Sequence, residues 1–286
     1  MRRSRRRVVA SALVAPVMAL SSACGDSSPV DVGEDLSFLE EVFDVTVETD
    51  VQYGEAVDED GLPQALLLNL FQPTNDPRPL RPAVIWVHGG SYIRGHRGEM
   101  TEFARSSARR GFVSVSVDYR LRENADVDYA DPNDPLAEVV KHDAQHDVQA
   151  AVRWIRAHES DLKIHPTHIY VAGYSAGGTA ALRVAANSND PGSSGNPGPS
   201  STVAAAVAIS GSLEPGILDA AVGPTLLIHG ENDAKVPIAG IEAACAAVSR
   251  CRLVSIPLGE HTLLGFAKET IISETASFLH GEVTAP

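Results

Sequence analysis

The sequence predicts an α/β domain: a mostly parallel sheet of about eight strands with helices on both faces. Three observations point there. Short β-branched or aliphatic runs alternate with stretches of helical period through most of the chain. Its 286 residues suit one α/β enzyme domain. Apolar residues make up 44% and charged residues 21%, which excludes a coiled coil, a collagen-like repeat and a disordered chain.

The runs at residues 42–51 and 65–71 have no helical stretch between them and are joined through Glu59-Asp60-Gly61, so they predict an antiparallel hairpin at one sheet edge. Further strands are predicted at 83–87, 112–117, 168–172, 203–209, 225–228 and 253–256. Helical periodicity covers 99–110, 136–158, 176–186, 237–249 and 266–279. Neither a break in composition nor an internal repeat interrupts 39–286, which reads as a single domain. Two polar segments break the rhythm. Residues 122–135 follow a strand and so belong at the carboxyl ends of the strands, where ligands bind in such sheets. Residues 187–201 follow a helix and are expected at the opposite end as a surface loop.

The amino terminus reads as an export signal over 1–23: Arg2, Arg3, Arg5, Arg6 and Arg7, then an apolar stretch too short to span a bilayer, then small residues. Ser4-Arg5-Arg6-Arg7-Val8-Val9 resembles a twin-arginine export motif, and Ala23-Cys24-Gly25 resembles a bacterial lipoprotein cleavage site. Lipidation of Cys24 would anchor the chain in the cell envelope, whereas ordinary cleavage near Ala23 would release it. Residues 24–38 read as a flexible tether. Formal charge is −14. Without those five arginines, 18 of the 23 basic side chains remain against 37 acidic ones, a balance of −19. That field repels phosphate backbones, so nucleic acid is excluded as a partner. Of the three cysteines, Cys245 and Cys251 flank a predicted helix end and strand start and are expected to pair, as exported proteins usually pair their thiols.

Gly173-Tyr174-Ser175-Ala176-Gly177-Gly178 lies between a predicted strand and an Ala-rich helix. A serine at so sharp a turn projects its hydroxyl above the sheet, and small residues at Gly173 and Gly177 let the chain cross itself. The same turn places the Ala176 N–H and the positive end of the helix beside a reacting carbonyl. Upstream, the run 83–87 ends in His88-Gly89-Gly90-Ser91-Tyr92, exposing backbone amides at a strand end. Serine needs a histidine to take its proton and an acid to orient that histidine, and both are sought on the later strand-end loops. The loop His229-Gly230-Glu231-Asn232-Asp233 offers Asp233 as acid, with Glu231 as competitor and Asp219 as a weaker choice. The loop after the last strand offers His261 as base. His88 and His229 are read as loop braces, and Asp118-Tyr119-Arg120 as architectural.

His88-Gly89-Gly90, Asp118-Tyr119-Arg120-Leu121, Gly173-Tyr174-Ser175-Ala176-Gly177 and His229-Gly230-Glu231-Asn232-Asp233 occur in an order that resembles the carboxylesterases and lipases of the α/β-hydrolase superfamily, near its hormone-sensitive-lipase-like and feruloyl or acetyl esterase branches. The likeness covers about residues 65–280. It implies the α/β-hydrolase fold and an oxyanion hole from the amides of Gly90 and Ser91 joined by Ala176. It also favours Asp233, which precedes Ala234-Lys235-Val236-Pro237, over Glu231. This chain has Ser91 where the lipase-like branch often has a third glycine, and Gly173-Tyr174 where that branch prefers Gly-Asp. The function expected is an exported serine esterase acting on a small-molecule ester of short acyl or aryl type, without a cofactor. An amidase or peptidase with the same triad, and a catalytically silent lipoprotein serving as a binding module, are the alternatives.

His142-Asp143-Ala144-Gln145-His146 places two imidazoles on one helix face, like the helical two-histidine zinc motif with Asp for Glu. With no third ligand evident in sequence, no metal is expected there.

Overall fold

The computed structural model describes residues 38–128, 134–212, 222–248 and 250–285. The export signal at 1–23, Cys24, nearly all of the tether, and Asp219 lie outside the described residues. Phe38, the last tether residue by sequence, is buried against the Phe112 ring at 5.3 Å between centroids.

Eight strands form one sheet in the order β1-β2-β4-β3-β5-β6-β7-β8. They are β1 (Val45–Val57), β2 (Pro63–Pro73), β3 (Arg81–Val87), β4 (Val113–Val117), β5 (Ile164–Tyr174), β6 (Ala205–Ile209), β7 (Thr225–Gly230) and β8 (Cys251–Ile256). β1 and β2 form the expected antiparallel edge hairpin, and β2 joins β4 antiparallel. All remaining pairs are parallel. β3 is buried along its whole length, as a strand covered on both faces must be.

The helices are α1 (Thr101–Arg109), α2 (Pro135–Ala157), α3 (Glu159–Leu162), α4 (Ala176–Ala186), α5 (Ile238–Ala246), α6 (Leu263–Phe266) and α7 (Lys268–Thr284). Alternation along the strands divides two cores. Ile85, Val87, Val115 and Val171 point to the face covered by α2, α4 and α5, with Val148, Ala180 and Ile241 opposite them. Val84, Trp86, Tyr170 and Ile228 point to the other face, where Phe103 of α1 and Ile271 of α7 pack. α2 starts where Asp134 accepts the Leu136 N–H at 2.8 Å and Pro135 takes a position whose N–H needs no partner. None of the described helices is long and apolar enough to cross a membrane. Cys245, near the end of α5, is disulfide-bonded to Cys251 at the start of β8, with Cα atoms 5.3 Å apart.

Residues 187–201 are largely exposed, as expected of a surface loop, but they reach further along the sheet than the sequence suggests. They leave α4 and fold back along α2. There Arg153, 2% exposed, donates to the carbonyls of Pro191 at 2.8 Å and Gly195 at 2.7 Å. The loop then docks on the edge hairpin, where the Glu55 N–H donates to Ser194 O and Asn196 Nδ2 to Tyr53 O. A buried arginine with five donors captures loop carbonyls that local sequence does not reveal as partners.

Candidate active site

Ser175 sits between the last residue of β5 and the first of α4, with φ 53° and ψ −118°. A non-glycine residue there stores roughly 1–3 kcal/mol of strain, which persists only where surroundings over-determine it. The surroundings are visible. The Ser175 N–H donates to Ile209 O at 2.7 Å. A Cβ on Gly173 would lie 2.2 Å from Gly177 O, and one on Gly177 would lie 2.3 Å from Val87 O. Glycine at both positions therefore lets the first turn of α4 press against β5 and the end of β3.

Three loops at the carboxyl ends of β5, β7 and β8 bring Ser175, Asp233 and His261 together. Ser175 Oγ is 2.9 Å from His261 Nε2, and His261 Nδ1 is 2.8 Å from Asp233 Oδ2. An ionised carboxylate only accepts, so Nδ1 carries the proton toward Asp233 and Nε2 is left to accept from the serine hydroxyl. The Asp233 side chain is fully buried, while that of His261 keeps 15% exposure. Asp233 Oδ1 accepts the N–H groups of Lys235 and Val236, both at 2.9 Å. Its competitor Glu231 is exposed.

Two supporting side chains complete this cluster. His229 Nε2 lies 2.8 Å from Val236 O and 3.2 Å from Asp233 Oδ2. Burial pushes the His229 imidazole below its ordinary pKa, so it faces the acid as a neutral donor and braces the whole acid loop. The Tyr174 hydroxyl donates to His261 O at 3.0 Å, tying the residue before the nucleophile to the loop that carries the base. Burial, with the Asp233 charge adding to it, raises the Tyr174 phenol and keeps it protonated as that donor. Sequence reasoning gave Tyr174 no role. Its one signal was an aromatic hydroxyl where the resembling branch prefers aspartate.

Gly90, Ser91 and Ala176 lie where the end of β3 meets the start of α4. Gly90, Ser91 and Tyr92 all have positive φ, at 110°, 55° and 62°, so the chain turns abruptly off the strand. Behind them His88 donates through Nδ1 to Gly89 O at 2.7 Å and stacks on Tyr119 at 4.3 Å. The Tyr119 hydroxyl reaches the carbonyls of His88 and Gly89 at 3.3 and 3.2 Å. Asp118 holds the backbone and guanidinium of Arg97, and Arg120 is paired with the fully buried Asp147 carboxylate at 2.7 Å. The Asp118–Arg120 segment is thus a buttress for the turn that carries Gly90 and Ser91.

The helical pair His142 and His146 gains a third neighbour: Asp190, from the loop after α4, stands 3.1 Å from His146 Nε2. The sequence offered no way to see this carboxylate approach, because 44 residues separate the two side chains.

An open, mostly parallel sheet with an antiparallel edge hairpin, and a strained serine, a buried aspartate and a histidine on the carboxyl-end loops after β5, β7 and β8, define an α/β-hydrolase. A family model described as BD-FAE matches residues 68–215, just over half of the chain. The chain belongs to that family. It is similar to esterase LipI of Mycobacterium tuberculosis, 32% identical over 126 residues, a stretch that is 43% of this chain and 34% of that protein. It is also similar to the para-nitrobenzyl esterase of Bacillus subtilis, 27% identical over 114 residues, or 40% of this chain and 22% of that protein. The matched stretches thus span about a third or less of these relatives' own length. Among solved structures, esterase 2 of Thermogutta terrifontis phosphorylated by paraoxon superposes with a TM-score of 0.67 at 23% identity, covering 84% of this chain and 96% of that one. At that identity the likeness concerns the fold.

Proposed function

We propose that the protein is an exported serine carboxylesterase that hydrolyses short-acyl or aryl carboxylic esters through an acyl-enzyme on Ser175. The observation that carries this reading is the unbroken line from Ser175 Oγ through His261 to the buried Asp233 carboxylate. In the first half, His261 Nε2 takes the serine proton as Oγ attacks the ester carbonyl, and the carbonyl oxygen becomes an oxyanion facing the amides of Gly90, Ser91 and Ala176. Asp233 stabilises the imidazolium. The C–O bond then breaks, and His261 returns its proton to the leaving alcohol. In the second half, water gives its proton to His261 and attacks the acyl carbon, the serine regains its hydrogen, and the carboxylic acid departs. No step needs a cofactor.

Two of the relatives it resembles are named esterases, which agrees with ester rather than amide chemistry. The Cys245–Cys251 disulfide supports an oxidising compartment, in keeping with the amino-terminal export pattern. Hydrolysis of a p-nitrophenyl ester series by the purified mature chain tests the proposal. Acetate and butyrate should be cleaved faster than long-chain esters, and Ser175→Ala should lower kcat by something on the order of 10⁶. Residual turnover within about tenfold of the unsubstituted chain would end the assignment.

A further inference from the structure

We propose that His142, His146 and Asp190 form a binding site for a divalent transition-metal ion of the zinc class, separate from Ser175, that pins the 187–201 loop to α2. The two histidines are four apart on α2, so their rings lie on one face, with centroids 5.1 Å apart. One ligand atom from each of the three side chains falls within 4.8 Å of the others, and His146 Nε2 and Asp190 Oδ2 stand at 3.1 Å. Around a tetrahedral zinc with bonds of about 2.0–2.1 Å, ligand atoms sit roughly 3.3 Å apart. From separations within 4.8 Å, closing to that value takes at most about 1.5 Å of side-chain movement. Two imidazoles and one carboxylate suit zinc and its neighbours in the first transition row, whereas calcium and magnesium prefer all-oxygen sets.

The third ligand is delivered by a loop that bonds unrelated to any ion already hold. Asp190 N donates to Asn187 O, Gln149 Nε2 donates to the same carbonyl at 2.8 Å, and the buried Arg153 grips Pro191 O. Gly192, at φ +62°, passes so close to the imidazole that a Cβ there would lie 2.2 Å from His146 Cγ. Such pre-positioning keeps the entropy cost of closing the site small. Solvent reaches it, since the side chains of His142 and Asp190 are about half exposed, at 46% and 54%. Glu138 is the competing partner: its carboxylate stands 3.5 Å from His142 Nε2 while also pairing with Arg183 at 2.5 Å, so an ion must displace only this longer contact at His142. Pinning would matter because this loop also braces the edge hairpin and reaches Arg120, whose segment supports the turn at Gly90.

Zinc titrated calorimetrically into metal-stripped full-length protein tests the site, with Co²⁺ absorption reporting coordination. One equivalent should bind, and Asp190→Asn and His146→Ala should each weaken it by at least on the order of tenfold. His165→Ala should leave binding unchanged, because the stacked His165–His168 pair, at 4.1 Å, serves as a control for loose imidazole binding. Zinc should also slow proteolysis within 187–201 in the unsubstituted chain and not in Asp190→Asn. Should His146→Ala fail to fold, His142→Ala gives the same reading. Binding unaltered by Asp190→Asn, or lost instead with His165→Ala or His261→Ala, would overturn the site. A digestion rate indifferent to zinc would overturn the pinning.

Discussion

Two buried aspartates stand near the carboxyl edge of this sheet and are used in opposite ways. Asp147, on α2, spends its carboxylate on the Arg120 backbone N–H and guanidinium. Asp233, after β7, accepts two backbone N–H groups and faces two imidazoles. A guanidinium is charged at every pH a protein meets, so the Asp147 pair is fixed and serves to hold the turn after β4. An imidazole can take up a proton during a reaction, so in the proposed mechanism the Asp233 carboxylate answers to charge appearing on His261. Burial alone marks neither residue as functional. The kind of partner does.

Matched substitutions would break that comparison if it is mistaken. Asp233→Asn should lower kcat by about 10⁴-fold while the chain stays folded, because an amide can donate to Nδ1 and leave Nε2 protonated toward the serine. Ester hydrolysis with circular dichroism as the folding control checks this, and a loss below tenfold would place the acid elsewhere. Asp147→Ala should do the reverse. Removing the buried carboxylate that Arg120 faces at 2.7 Å, with Asp143 remaining at 3.5 Å, should cost about 3 kcal/mol of stability in urea unfolding, with kcat per folded molecule little changed. A kcat collapse without destabilisation would contradict the buttress role.

Acid should separate the two regions further. Burial holds His88 and His229 below the ordinary histidine value of 6.5. In the window between the lowered and ordinary values the unfolded chain binds protons that the folded chain does not, so stability rises with pH there. Their contribution is complete above pH 6.5 and drains as pH falls through the lowered values, at up to about 1.4 kcal/mol per pH unit for each ring. Urea midpoints across that range should fall toward acid, and His229→Asn should flatten part of the slope. Midpoints that rise toward acid would refute the neutral assignment. Smallest is Tyr174→Phe. Removing one hydrogen bond to His261 O, worth about 1 kcal/mol, should lower kcat roughly fivefold and leave KM nearly unchanged, and a KM effect alone would refute its positioning role.

Much of this was legible in the chain. Every predicted strand and helix has its counterpart, because β-branched runs and helical period reflect burial on one or two faces and burial is what the fold repeats. The edge hairpin was readable from Glu59-Asp60-Gly61, and the strand–Ser175–helix junction from glycines whose Cβ atoms would collide with crossing backbone. What sequence did not disclose depends on chain segments that meet only in three dimensions. The 187–201 loop returns along α2 because Arg153 draws in its carbonyls, and Asp190 reaches His146 as a consequence. Tyr174 finds His261 O across 87 residues. No local pattern encodes such pairings.

The central claim is that Ser175 is activated by His261 and Asp233. Mass spectrometry of the full-length protein after treatment with a p-nitrophenyl phosphonate tests it most directly. One adduct per chain, mapped to the Ser175 peptide and lost in His261→Ala, is the expected result. A folded, unmodified chain, or an adduct on another serine, would contradict it.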